Sequence, residues 1–172
     1  MACHKCDLTL YLYMGLRFPA QKYGQCFFVT TTFKEWEKLG NIKGFYKELL
    51  KSINFCLKKY SAKMIGYVFM PSHIHLIVLI EGNNLGSFMR DFKKYVSQKI
   101  AADFGIKGGI WMPRYDRVVI QSDDVLRQKL EYIHMNPVKG DLVKSPDYWI
   151  WSSAMDYLTD NNSDIDIYKE WM

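Results

Sequence analysis

Lys63-Met-Ile-Gly-Tyr-Val-Phe-Met-Pro-Ser-His-Ile-His-Leu-Ile-Val-Leu-Ile80 reads as two apolar strands divided by the turn pair Pro71-Ser72. Successive side chains of a strand point to opposite faces. Ile74, Leu76, Val78 and Ile80 therefore share one face, and His73, His75, Ile77 and Leu79 the other. The two histidines stand side by side at the opening of the strand, roughly 7 Å apart along the backbone. Imidazole nitrogen suits first-row divalent ions, so the pair can share one metal, with an oxygen donor supplied from elsewhere. A pair of strand histidines held only by hydrogen bonds is the structural alternative.

The signals on either side of this hairpin extend it to a whole fold. Upstream, Gln25-Cys-Phe-Phe-Val-Thr-Thr-Thr-Phe33 is dense in β-branched and aromatic residues and predicts a strand. It is followed by Ile42, Phe45, Tyr46, Leu49, Ile53, Cys56, Leu57 and Tyr60 at helical steps. Downstream, Leu85, Phe88, Met89, Phe92, Tyr95, Val96 and Ile100 form a second helical stripe, ended by Gly105. Arg117-Val-Val-Ile-Gln121 supplies a fourth strand. A third helix starts after the N-cap Ser122, with Asp123 and Asp124 at its positive end. Pro137 disfavours helical angles in the residue before it, which puts the expected end of that helix near Met135 or Asn136. The order β-α-β-β-α-β plus a C-terminal helix predicts an α+β, ferredoxin-like split-βαβ sandwich. Its antiparallel sheet would carry helices on one face and an additional C-terminal helix. Tyr148-Trp-Ile-Trp151-Ser-Ser reads as an aromatic segment folded back on the body, and residues 160–166 as a polar loop.

With 172 residues the chain suits one domain. The expected division is an N-terminal extension over 1–22, which has no clear period, and a single domain over 23–172. Hydrophobic residues at 49% and charged residues at 24% are an ordinary globular balance that argues against disorder. The 12 Tyr, 10 Phe and 5 Trp exceed what a core needs and can serve as platforms for unpaired bases. A net charge of +5 permits a polyanionic partner. No apolar stretch reaches the ~20 residues of a membrane span, and the first 20 residues lack the order of a secretion signal. A cytoplasmic protein with no membrane partner is the expectation. Of four cysteines, Cys26 and Cys56 fall on apolar positions, while Cys3-His4-Lys5-Cys6 could hold part of a zinc site but has no partner pair to complete four ligands.

Glu131-Tyr-Ile-His-Met-Asn-Pro137 holds the second chemical signal. On a helical wheel Leu126, Leu130 and Ile133 fall on one side, with Val125, Lys129, Tyr132 and Asn136 along the adjacent face. Tyr132 thus borders the core, where a phenol can reach a cleft and attack phosphorus covalently. A phenol is a weak nucleophile at neutral pH, and a metal polarising the phosphate would assist it. The amide of Asn136 is one candidate for the missing oxygen donor. Trp111-Met-Pro-Arg-Tyr-Asp-Arg117 combines guanidinium forks with rings. With Arg90, Lys93 and Lys94 on the second helix, Arg114 and Arg117 are candidate contacts to a nucleic-acid phosphate backbone.

Gly66-Tyr-Val-Phe-Met-Pro-Ser-His-Ile-His-Leu-Ile-Val78, Trp111-x-Pro-Arg-Tyr115, Tyr132-Ile-His-Met-Asn-Pro-Val-Lys-Gly-Asp-Leu-Val143 and Trp151-Ser-Ser153 resemble the HUH single-tyrosine transposases, and among them the REP-associated tyrosine transposase branch. The resemblance runs from about Tyr23 to Ser153 and keeps the family's block order; residues 1–22 match nothing in it. It implies a metal-dependent single-strand DNA endonuclease and strand transferase that cleaves beside a hairpin. In that reading His73 and His75 hold Mg2+ or Mn2+ and Asn136 is a candidate third ligand. Tyr132 attacks the scissile phosphate, giving a 5′-phosphotyrosine and a free 3′-hydroxyl. Tyr95 is a rival nucleophile, although it falls in an apolar stripe. Two other readings stay open: a non-catalytic single-stranded nucleic-acid-binding module on the same fold, and a metal-dependent hydrolase using activated water. A monomer and a homodimer are both compatible with the sequence.

Overall fold

Strand β1 (Cys26–Thr32) lies inside the sheet of the computed structural model, which describes residues 25–106 and 108–170. The extension over 1–22 and the Cys3–Cys6 segment fall outside the described residues. After β1 come α1 (Phe45–Lys59), β2 (Lys63–Phe69), β3 (His73–Leu79), α2 (Gly82–Phe104), β4 (Asp116–Val119), α3 (Asp123–Lys139) and the short α4 (Ala154–Leu158). The strands form one antiparallel sheet in the order β2-β3-β1-β4. This is the ferredoxin-like arrangement that the element order predicts.

Alternation along the strands divides the interior in two. Phe27, Val29, Tyr67, Phe69, Ile74, Leu76 and Val78 face one side, where α1 and α2 pack. Phe28, Ile65, Val68 and Ile77 face the other, where Leu126, Leu130 and Ile133 of α3 cover them. The additional helix thus lies on the opposite face of the sheet from α1 and α2. His75 belongs to the α3 side, as its alternation with Ile74 and Leu76 requires.

A bulge in β2 lets α3 sit close. Met64 pairs with Val78 and Gly66 with Ile77, so Ile65 is the extra residue and both Ile65 and Gly66 turn toward α3. A Cβ on Gly66 would lie 2.5 Å from Leu130 Cδ2, 3.1 Å from Ile133 Cδ1 and 3.4 Å from Ser153 Oγ. Gly66→Val should therefore push α3 away from the sheet, with an overpacking cost of about 1–3 kcal/mol. Thermal unfolding should show the loss, and the position of Tyr132 should suffer with it. An unchanged melting temperature would mean that α3 has slack the packing does not suggest.

The helix runs through Pro137 to Lys139, about one turn of sequence that the proline-based reading excluded. Proline removes only the N–H that would bond the carbonyl of Ile133. The bond from Asn136 Nδ2 to Tyr132 O at 2.8 Å braces the preceding turn. Gly140 N to Asn136 O at 2.9 Å and Leu142 N to Pro137 O at 2.9 Å close the end. At the start, Ser122 Oγ accepts from Val125 N at 3.4 Å, with Asp123 and Asp124 in the first turn, as expected. Strand β4 begins one residue earlier and ends two residues earlier than Arg117–Gln121. Ile120 N still bonds Cys26 O at 2.8 Å, but Cys26 is where β1 begins and pairing stops.

The aromatic segment does fold back on the body. Phe69 N bonds Trp151 O at 2.9 Å, and Trp149 Nε1 bonds Phe69 O at 3.0 Å. Ser153 Oγ accepts from Tyr67 N at 2.9 Å and donates to Tyr67 O at 3.3 Å. Its one proton thus used, it accepts from His134 Nε2–H at 2.9 Å. Burial pushes the His134 imidazole down to about 4, so it serves this junction as a neutral donor. Among the described residues no helix is long and apolar enough to cross a membrane.

Candidate active site

His73 and His75 lie together on the α3 face of β3, with ring centroids 4.9 Å apart and planes at 79°. Cross-strand register supplies what surrounds them. Thr32 pairs with His73 and Thr30 with His75. Thr30 Oγ1 is 2.8 Å from His75 Nδ1, and Ser72 Oγ is 3.1 Å from His73 Nδ1. With Nδ1–H donating to these hydroxyls, both rings keep the Nε2 lone pair for another partner. His75 is 1% exposed, yet its Nε2 has no hydrogen-bond partner among the described residues. A buried orphan of this kind is costly unless something occupies it.

Electrostatics keeps the pair in the ligand form. Burial holds the His75 imidazole well below the usual histidine range, reinforced by His73 and Lys129, and burial lowers His73 also. Neutral imidazole is what a metal binds. No group of three or more His, Cys, Asp or Glu side chains among the described residues completes a site around them. Asp116 shares the face of Thr30 and His75, but on β4, two strands or about 9.6 Å from β3. Among the described residues, a third donor would then be an amide, a hydroxyl or a backbone oxygen. Asn136 commits its Nδ2 to Tyr132 O, which leaves Oδ1 as the atom able to act as a ligand.

Tyr132 comes in from α3. Its ring is 5.4 Å from the His75 ring at 72°, and 6.0 Å from Phe28, which itself stacks on His75 at 5.4 Å and 18°. The phenol, the two imidazoles and Phe28 form one aromatic cluster in the gap between sheet and helix. Two ammonium groups flank it. Lys129 Nζ is 5.9 Å and Lys139 Nζ 5.8 Å from the Tyr132 ring centroid. Lys129 also lies 4.8 Å from the centre of Phe28, and burial lowers its tendency to stay protonated.

Tyr95 is on the other side of the sheet. It packs edge-on against Phe55 at 5.0 Å, and its hydroxyl is 3.5 Å from Lys59 Nζ. The basic candidates are likewise not gathered at the histidines. Arg90 is bound to Asp91 at 3.3 Å, in a cluster where Asp91 also takes Lys59 and Tyr60 at 2.6 Å each. Lys94 is exposed on α2. Lys93 Nζ donates to Met112 O at 2.6 Å. Arg117 pairs with Val29, whose side chain faces α1 and α2. Arg114 is exposed in the segment that Met112 N joins to Thr32 O at 2.9 Å, at the sheet end that carries His73.

Thr30 and Phe28 were not foreseen, because only strand register brings them to the histidines, and Ser72 was read only as part of the turn although it adjoins His73. Lys129 was placed beside Tyr132 by helical spacing but given no part.

A family model described as IS200-like transposase matches residues 27–136. That span includes His73, His75, Tyr132 and Asn136. The REP-associated tyrosine transposase of Escherichia coli (strain K12) is 34% identical over 90 residues, which are 51% of this chain and 52% of that protein. The chain thus matches about half the length of this curated relative. Among solved structures, the fold is similar to that of a REP-associated tyrosine transposase bound to a REP hairpin. The TM-score is 0.69 at 25% identity, covering 87% of this chain and 88% of the other.

Proposed function

Because the family match spans most of the chain, the protein belongs to the IS200-like transposase family, and on that premise we propose that it cleaves and rejoins single-stranded DNA through a covalent tyrosine intermediate. The observation that carries this reading is the approach of Tyr132 to within 5.4 Å of the His75 ring, measured between centroids, next to an orphaned imidazole nitrogen. A module that only bound nucleic acid would have no use for a buried, unpartnered Nε2 beside a phenol.

Tyr132 Oη attacks the scissile phosphorus. The new O–P bond replaces the bond to the 3′ oxygen, which leaves as a 3′-hydroxyl after taking up a proton. The phenol loses its proton in the same exchange, and the 5′-phosphoryl group stays on the tyrosine. One phosphodiester replaces another, so a second 3′-hydroxyl can reverse the step and transfer the strand. His73 and His75 would hold a divalent ion through Nε2, with Asn136 Oδ1 a further donor. Mg2+ or Mn2+ bound there would polarise the phosphate and offset charge on the leaving oxygen. Lys129 and Lys139, which flank the Tyr132 ring, would meet the non-bridging oxygens. The similarity to a transposase solved with a REP hairpin supports a structured single strand as substrate.

Incubation with Mn2+ and a labelled strand carrying a short hairpin from the DNA flanking the gene should leave label on the protein through denaturing electrophoresis. Cleavage without any adduct would favour activated water, and binding without cleavage would favour the non-catalytic module.

Charge gives a second measurable consequence. Each phosphate contact to a single strand contributes about 0.7 to the slope of log affinity against log salt. Lys129→Met and Lys139→Met should each lower that slope by about 0.7. Arg90→Ala, whose guanidinium is bound to Asp91, should leave it unchanged. Unchanged slopes in both lysine variants would remove those ammonium groups from the phosphate path.

A further inference from the structure

Trp36 is 62% exposed, among the most exposed of the large apolar side chains, and it stands edge-on to His73 with ring centroids 5.8 Å apart at 67°. Its backbone is also unusual. Glu35 and Trp36 have φ of 54° and 58°, left-handed values that side chains other than glycine rarely adopt, in consecutive residues. The turn is nonetheless firmly held. Phe33 N bonds Ser72 O at 3.0 Å, Lys34 N bonds Ile110 O at 2.9 Å, and Gly40 N bonds Pro71 O at 2.9 Å. A Cβ on Gly40 would lie 2.8 Å from Pro71 Cα, so the loop is pressed against the turn that leads into His73. This arrangement leaves an indole in water and accepts two strained residues, and such strain collects where the chain presents a group for use.

What it presents is a flat, rigidly mounted π-face beside the candidate metal ligands, at the sheet end where Arg114 and Met112 are also exposed. We propose that Trp36 is a stacking platform for an unpaired base of the bound strand, next to the phosphate held at His73. This inference rests on the reading of the site as one that takes single-stranded DNA. Stacking on an indole needs no base identity, since every base has a π-face. Trp36 would therefore hold and orient the nucleotide while leaving sequence choice to other contacts.

The test separates stacking from chemistry by measuring binding with metal chelated. An oligo-dT strand of about 20 nucleotides and an abasic deoxyribose-phosphate strand of equal length are titrated with wild type, Trp36→Ala and Trp36→Phe. Trp36→Ala should lose on the order of tenfold in affinity for oligo-dT and less than about twofold for the abasic strand, and Trp36→Phe should keep most of the oligo-dT affinity. Equal losses on the two strands, or no loss on oligo-dT, would overturn the proposal. So would a wild type that does not distinguish the strands. Because the side chain is exposed, unfolding midpoints should coincide, and a shifted midpoint is checked against Trp36→Phe. A covalent adduct formed with Mn2+ but no coupling to Trp36 refutes the platform alone. Coupling to Trp36 without any adduct refutes the enzyme reading alone.

Discussion

Tyr132→Phe should fold, bind the hairpin strand within about twofold of wild type, and form no covalent adduct. Only the phenolic oxygen is removed, so the ring keeps its contacts with Phe28 and His75 and the hydrophobic packing of α3 is conserved. Binding should persist because phosphate contacts, which this change leaves in place, supply most affinity. Tyr95, the rival nucleophile, cannot stand in for Tyr132, since it sits under Lys59 and Phe55 on the other face of the sheet. The loss should therefore be to background, a factor of at least about a thousand in rate, equivalent to some 4 kcal/mol of barrier. Tyr95→Phe is the control and should retain nearly all activity. If Tyr132→Phe cleaves and still captures DNA, the nucleophile is elsewhere. If it cleaves without capture, water does the chemistry.

Much of this arrangement could be read before any coordinates. Alternation in Pro71–Ile80 put both histidines on one face, and helical spacing put Lys129, Tyr132 and Asn136 on another. These are local periodicities, and local geometry obeys them. Thr30 and Phe28 escaped because their closeness to His75 follows from the pairing of β1 with β3 across 45 and 47 positions of sequence. Trp36 escaped for a different reason. Nothing in Lys-Glu-Trp announces two left-handed residues, and the loop is held from outside by Ser72, Ile110 and Pro71. At Pro137 the local rule was outweighed by packing. The proline is buried and the helix is braced on both sides of it, so Pro137, Val138 and Lys139 stay helical. The basic residues on α2 failed to gather at the histidines because α2 covers the other face of the sheet, and charge counting cannot tell which face a helix will cover.

Removing the support behind His75 should weaken metal binding while leaving the histidine in place. Thr30→Val keeps the shape of the side chain and deletes the hydroxyl 2.8 Å from His75 Nδ1. Partners of this kind fix the ring and its tautomer, and their loss typically costs about 10–100-fold in metal affinity. Manganese titration followed by electron paramagnetic resonance should show that weakening, with adduct formation restored at high Mn2+. His73→Ala, which removes a proposed ligand outright, should not be rescued and should retain much of its DNA affinity. Acid supplies an independent check. Burial lowers both imidazoles below the ordinary value of 6.5, and protons compete with metal only below the folded-state pKa. Mn2+ affinity should thus stay level from about pH 8 to about 6.5 and fall only at lower pH. A decline beginning above pH 7, or a Thr30→Val protein that binds Mn2+ like wild type, would mean that the pair does not hold the ion through Nε2 in the manner its hydrogen bonding favours.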